Sequence, residues 1–320
     1  MVTILKNVAI VGVRAPQFYI SQIDFQQELT NLKASGSIGK IILSSLVSSA
    51  NFSITVISRK GSEAVFPRGV TVLKSDFSKA SLEAAFRGQD AVVSVVGATA
   101  FNEQKALVDA AICAGVQRFI PSEFSANSQS DAVLQLLPLF GQKNDLIKYL
   151  KSKEASGLTW TGIATSGLFD WGLQNRFLEF DISTRTATIW DGGDKSFTLT
   201  NEKQLGQSVI SVFENPRETS NQYLYVASVE TTQNEIVTTL EKVTGGRWTI
   251  NNTTTDEQVS AAIEKLTAGD FSGAFTLVRA TCFGNTPGLR ANYLREEKLA
   301  NDMLGLEMET VEDTIRRVIQ

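Results

Sequence analysis

The sequence predicts an α/β fold in which a doubly wound parallel sheet is followed by a smaller α/β substrate-binding lobe. Three observations predict it. Short apolar runs alternate with helical stretches through about residue 165, the pattern of a parallel sheet covered on both faces. The first run, Asn7-Val8-Ala9-Ile10-Val11-Gly12, ends on a glycine. Beyond residue 165 the runs shorten and the alternation loosens. We expect a first domain over residues 1–160 and a second, mainly substrate-binding, over 161–320.

Each element has its own justification. After residues 7–12, the stretch Ala34-Ser35-Gly36-Ser37-Ile38-Gly39 opens a helix expected over 37–49. A glycine turn at a helix start presents free N–H groups and the positive end of the helix dipole, which suits a pyrophosphate. Gly12, Gly36, Ser37, Ile38 and Gly39 are therefore candidate cofactor-binding residues. The β-branched run Phe52-Ser53-Ile54-Thr55-Val56-Ile57-Ser58-Arg59 is a second strand, with Arg59-Lys60 at its end. An acidic residue there would accept ribose hydroxyls; a cation pairs with a 2′-phosphate instead. Arg59 and Lys60 thus favour NADPH over NADH. Residues 70–76 form a third strand, and Asp76 either faces an adenine or begins a turn. A helix follows over 79–86.

Residues 90–97 are a fourth, nearly all-apolar strand, and its exit at Gly97 passes beside the cofactor ribose. A helix over 104–114 is stopped by Gly115. The fifth strand, 118–121, delivers Ser122, Glu123 and Phe124 to its carboxyl end, where open parallel sheets bind ligands. A helix over 141–154 and a buried strand over 158–164 complete the first half. Residues 166–172 read as an aromatic loop whose Phe169 and Trp171 either line the substrate or belong to the core. Further helices are expected near 202–213, 233–243, 256–266 and 296–304, with a strand and tight turn over 186–193 and a strand over 222–227.

Composition narrows the chemistry. Among 320 residues there is no histidine. That removes Ser-His-Asp and Cys-His hydrolases and the usual zinc sites, so no metal is expected. Acid–base work falls to Lys, Tyr, Asp, Glu or water. A net charge of −4 with no basic run gives no support for a nucleic-acid or membrane-surface partner. No apolar stretch approaches a membrane span and no leader pattern opens the chain, so a cytoplasmic location is expected. Cys113 and Cys282 lack metal-ligand spacing and are expected to be buried.

The glycine turn, Ser58-Arg59, and the segment from Ala110-Ala111 through Gly115-Val116-Gln117-Arg118-Phe119-Ile120-Pro121-Ser122-Glu123-Phe124 resemble the NmrA-like, isoflavone-reductase-like atypical short-chain dehydrogenases. Leu158-Thr159-Trp160-Thr161-Gly162 and Asp191-Gly192-Gly193 extend the likeness, which looks closest to fungal members. The resemblance implies a Rossmann domain, NADP(H), hydride transfer and a catalytic lysine at the start of the helix after Pro-Ser-Glu-Phe. Lys143 occupies that position. Ser125 stands where the family usually has glycine. The same family contains non-catalytic NADP(H)-sensing regulators, which would need neither Lys143 nor a filled substrate cleft. Tyr149 and Lys153 mimic the Tyr-x-x-x-Lys pair of ordinary short-chain dehydrogenases. They lie about two turns, roughly 9 Å, further along the helix than Lys143 and read as structural.

One stretch interrupts the pattern. Joining Gly12 to Ala34 gives Gly-Ala-Ser-Gly-Ser-Ile-Gly, a complete G-x-x-G-x-x-G turn, but the 21 residues 13–33 stand between. One reading is a lid, with Asp24 and Gln27 capping a short helix that carries Phe25, Leu29 and Leu32. The preferred reading is an intron translated in frame. Val13-Arg14 can be encoded as a splice donor and Leu29-Thr30 as a branch point, and Lys33 can end in AG. Loop entropy alone costs only about 2 kcal/mol for such a lengthening, so the conflict with a pyrophosphate site is steric. An inactive product is the third possibility.

Overall fold

The computed structural model describes residues 4–12 and 37–320. Gly36 and the interruption at 13–33 lie outside the described residues. In chain order the first half runs β1 (Asn7–Val11), α1 (Ser37–Ser49), β2 (Ser53–Arg59), β3 (Thr71–Ser75), α2 (Lys79–Phe86), β4 (Ala91–Ser94), α3 (Gln104–Cys113), β5 (Arg118–Ile120), α4 (Asp131–Leu136), α5 (Gly141–Ser152) and β6 (Thr159–Ala164). The second half runs β7 (Gly167–Leu168), α6 (Phe169–Gln174), β8 (Phe180–Asp181), β9 (Thr186–Trp190), β10 (Phe197–Thr200), α7 (Glu202–Glu214), β11 (Gln222–Tyr225) and β12 (Val229–Thr231). It closes with α8 (Gln233–Thr244), β13 (Thr249–Thr253), α9 (Thr255–Thr267), α10 (Ser272–Phe283), α11 (Tyr293–Glu296), α12 (Asn301–Leu304) and α13 (Val311–Ile319).

The described chain divides into two compact units. The first holds residues up to Glu123 with Gln142–Ile163 and Leu205–Tyr223. The second holds Phe124–Gly141, Ala164–Gln204 and Leu224–Gln320.

Seven strands of one sheet run in the order β11-β6-β5-β4-β1-β2-β3, and β3 through β6 pair in parallel. This is the doubly wound order, whose direction reverses between β1 and β4. The central strands are apolar because both their faces are covered: Val8, Ala9 and Val11 of β1 and Ala91, Val92 and Val93 of β4 are fully buried. The edge strand β3 differs, with Thr71 to Lys74 exposed and only Ser75 buried. At the amino end, Asp90 accepts the backbone N–H groups of Lys6 and Asn7 at 2.9 and 2.8 Å, tying β1 to β4. At the carboxyl end the Val95 N–H donates to the Val11 carbonyl at 2.9 Å. Both elements therefore present their exits side by side.

Deeper in this unit, Arg118 of β5 is 1% exposed and has hydroxyl and carbonyl partners. Its guanidinium donates to Thr159 and Thr161 at 2.8 Å, to Thr219 at 2.9 Å and to the Pro216 carbonyl. Burial lowers it to about 10. The cost of a buried cation is met by four hydrogen bonds that pin β5 to β6 and to the segment after α7.

The second unit contains two three-stranded sheets, β12-β10-β7 and β13-β9-β8. Its core gathers Phe169, Trp190, Phe197, Phe283 and the apolar face of α13. Phe283 meets Trp190 at 6.0 Å and Phe197 at 5.2 Å between ring centroids, aromatic geometry that adds to the burial.

Three expectations need correction. The aromatic stretch 166–172 is not a loop: it is β7 followed by α6, because Asp170 accepts the Glu202 N–H at 3.0 Å and braces the turn. Residues 296–304 are not one helix; α11 ends at Glu296, whose successor is extended, and α12 begins at Asn301. Cys113, the last residue of α3, is exposed, whereas Cys282 is buried. The sequence reading also missed α10 and α13, treated in the Discussion.

Candidate active site

The site is built from the carboxyl ends of the first unit's strands. β1 exits at Gly12 and α1 begins at Ser37, with Ile38 half-buried. A methyl group placed on Gly39 would stand 3.1 Å from Val95 Cγ2. Gly39 thus lets the first turn of α1 pack closely against the exit of β4. The described members of the glycine turn stand at the end of β1 and in the first turn of α1; Gly36 is outside the described residues.

The exit of β2 carries Arg59 and Lys60, which line a cleft of about 520 Å³ with Ser75, Asp76, Phe77 and Leu82. The Arg59 guanidinium lies 5.8 Å from the Phe77 ring centroid, within cation–π reach. Lys60 is engaged differently. Its Nζ is 2.9 Å from Asp76 Oδ2, with both side chains largely exposed. The Lys60 hydrogen bond, followed by those from Ser78, holds the Asp76 carboxyl well below the usual carboxylate range. Asp76 Oδ1 accepts the Ser78 N–H at 3.0 Å and its hydroxyl at 2.7 Å. Asp76 therefore begins the turn, one of its two expected roles.

The exits of β4 and β5 meet α5. Gly97 is extended and leads into a short 3-10 turn, Ala98–Glu103, that buries Phe101. The Ser122 hydroxyl donates to the Val96 carbonyl at 2.9 Å, and its N–H donates to Gln104 Oε1 at 2.9 Å. Gln104 is fully buried and returns a bond to the Phe101 carbonyl. Ser122 and Glu123 close this part of the first unit, and Phe124, buried, opens the next segment in the second.

Lys143 enters from the first turn of α5. It is 4% exposed, and its Nζ donates to the Glu123 carbonyl at 2.9 Å while lying 4.8 Å from the centre of the Phe101 ring. Burial pulls the ammonium down to about 8, and the Glu123 carboxylate lifts it part of the way back. Glu123 is itself 1% exposed and accepts the Tyr223 hydroxyl at Oε2, 2.9 Å away. A cation at the start of a helix, buried beside an aromatic ring, is costly. Its proton is correspondingly easy to give up near neutral pH.

Tyr149 is removed from this chemistry. Its hydroxyl donates to Asp109 at 2.5 Å, and burial followed by that bond raises its pKa. Lys153 and Lys105 lie 4.9 and 5.6 Å from its ring. These contacts support the structural reading of the pair.

The aromatic candidates separate. Phe169 is fully buried in the core of the second unit, so it does not line a pocket; the first turn of α6 turns it inward onto the Trp190 and Phe283 cluster. Trp171 is half-buried and packs against Phe177 at 5.4 Å. Sequence reasoning missed Phe101, Gln104 and Tyr223. Gly162 is the signal that could have found Tyr223: a glycine inside a buried strand marks close approach of another group. A methyl group there would lie 2.8 Å from Tyr223 Cδ2.

The chain is similar to known proteins over most of its length. It is 35% identical over 291 residues to the oxidoreductase aprR of Aspergillus flavus, covering 90% of this chain and 97% of that one. With the oxidoreductase poxI of Penicillium oxalicum it shares 29% over 309 residues, covering 95% and 98%. Its fold matches leucoanthocyanidin reductase from Vitis vinifera, solved as a ternary complex, with a TM-score of 0.75 at 18% identity, covering 98% of this chain and 100% of that one. The same reductase, solved as a binary complex with NADPH, matches at a TM-score of 0.73. Residues 26–284 match the NmrA-like family, and with the doubly wound sheet and the placed lysine, this chain belongs to that family.

Proposed function

We propose that this chain is an NADPH-dependent reductase of a small, conjugated or aromatic, oxygenated metabolite, with Lys143 as its proton donor. The observation that carries the reading is the buried ammonium of Lys143, lowered to about 8 and held at the carboxyl end of the parallel sheet. The oxidoreductase names of the fungal relatives and the NADPH complex of the Vitis reductase support it.

The residues present fit the cofactor. Gly12 and Gly39 stand at the sheet's reversal point, with Val95 packed where a side chain on Gly39 would crowd it. Arg59 lines an open cleft at the next strand exit and would pair with a 2′-phosphate. Bound NADPH would supply a hydride to the substrate. Lys143 Nζ holds a proton at neutral pH and passes it to the substrate oxygen as negative charge develops there. The neutral amine left behind suits its buried surroundings, and the Glu123 carbonyl keeps Nζ in place throughout. These features favour catalysis over a sensing role, which would not call for a buried lysine poised to titrate.

The test is NADPH oxidation with a panel of enones and aryl ketones by the wild type and by Lys143→Met. Turnover by the wild type alone, with equal NADPH affinity in both, supports the reading. Equal turnover by both removes Lys143 from the mechanism.

A further inference from the structure

Lys143 is held by one residue in two ways. Its Nζ donates to the main-chain carbonyl of Glu123, and the Glu123 carboxylate is the charge that acts on it. That carboxylate is 1% exposed, and a buried polar group calls for hydrogen bonds. Tyr223 of β11 provides one from 2.9 Å. The ring of Tyr223 is seated where β6 carries Gly162, since a methyl group there would meet Tyr223 Cδ2 at 2.8 Å and Ile147 Cδ1 at 3.4 Å. A side chain at residue 162 would thus require the ring or the strand to shift.

Resting on the reading of Lys143 given above, we infer that Tyr223 is a positioning residue that acts through Glu123, its hydroxyl holding the Glu123 carboxylate in place as the counter-charge of Lys143. Several neighbouring groups are neutral or engaged elsewhere. The turn after β4 contributes the neutral Phe101 ring, and α3 contributes the neutral Gln104, which holds Ser122. On α3, Asp109 is taken up by the Tyr149 hydroxyl, and Lys105 lies over the Tyr149 ring. On α5 itself, Asp145 and Lys148 face each other at 3.7 Å on the exposed side. The Glu123 carboxylate is therefore a charge that helps Lys143 keep its proton, and Tyr223 is the hydroxyl that fixes where it stands. Removing the hydroxyl frees the carboxylate from its place, its attraction for the ammonium weakens, and the Lys143 titration falls. The rate limb that depends on its protonated form then moves to lower pH.

The experiment is the titration of Lys143 Nζ, followed by NMR of lysine labelled at the ε-carbon, alongside the pH profile of NADPH oxidation. The resonance is assigned by its loss in Lys143→Met. Tyr223→Phe keeps the ring on Gly162, and Glu123→Gln removes the charge outright. Expected is a downward shift of about half a unit in Tyr223→Phe and about a unit or more in Glu123→Gln. The alkaline rate limb should move with it, at unchanged NADPH affinity. If the titration shifts and the rate limb does not, the positioning role stands and the catalytic reading of Lys143 falls. If either folded variant loses rate or thermal stability while the titration stays at its wild-type value, Tyr223 is merely structural and the inference is overturned.

Discussion

Two strand exits of the same sheet use cations in opposite ways. At the exit of β2, Arg59 and Lys60 stand in an open cleft, and Lys60 is paired with Asp76 in solvent. At the exit of β5, Lys143 is buried, and burial brings its proton to about 8. The first pair stands open to solvent, while exclusion of solvent from the second lowers its pKa. On the proposed reading, the same sheet offers a charge for a phosphate at one exit and a proton donor at another. The difference lies in what covers each residue and not in residue type.

The comparison breaks most visibly at Lys143. Lys143→Met should lower kcat by about 10²–10⁴-fold, the usual worth of a proton donor, with the NADPH Kd from calorimetry little changed. Substantial remaining kcat would mean the buried lysine does not donate. The same variant tests linkage. The folded-state value of Lys143 lies below its ordinary 10.5, so between about pH 8 and 10.5 the unfolded chain binds more protons than the folded one. Stability of the wild type relative to Lys143→Met should therefore rise with pH across that window in denaturant titrations.

Arg59→Ala tests the other exit. Losing a charge-assisted contact costs about 1.5–3 kcal/mol, roughly 10–100-fold in NADPH affinity, with NADH little affected. Equal losses for both cofactors would count against a phosphate partner. Deleting residues 13–33, which restores G-x-x-G-x-x-G, should tighten NADPH binding about tenfold, or about 1.4 kcal/mol, and raise the melting temperature. A deletion variant that fails to fold, or binds no better, would mean the segment is a genuine element. The smallest effect is expected from Lys60→Ala: an exposed ion pair contributes little, so the melting temperature should stay within error and NADPH affinity should fall far less than in Arg59→Ala.

Reading the elements from sequence worked where physics is local. β1, β2, β4 and β6 are contiguous apolar runs because both faces are covered, and α2 and α3 are closed by Gly88 and Gly115 at positive φ. It failed where neighbours decide. α10 has no side-chain cap at its start, so nothing in Phe271-Ser272-Gly273 announces it. α13 starts with a capping box that uses Asp313 where Glu is the usual signal, and it spans only nine residues. Phe169 looked equally suited to a pocket or a core until Asp170 and the Trp190 cluster fixed the turn of α6.

By itself the sequence determined the sheet, the cation at the end of β2 and the position of Lys143, because each depends on residue type at a spacing set by one strand or helix. It also excluded histidine chemistry by composition alone. Only the tertiary structure decided that Lys143 is buried, that Lys60 is taken by Asp76, and that Tyr223, 80 residues downstream of Lys143, reaches the carboxylate beside it. Desolvation and counter-charge depend on atoms from distant segments closing around a group, and no local pattern in a chain records which segments those are.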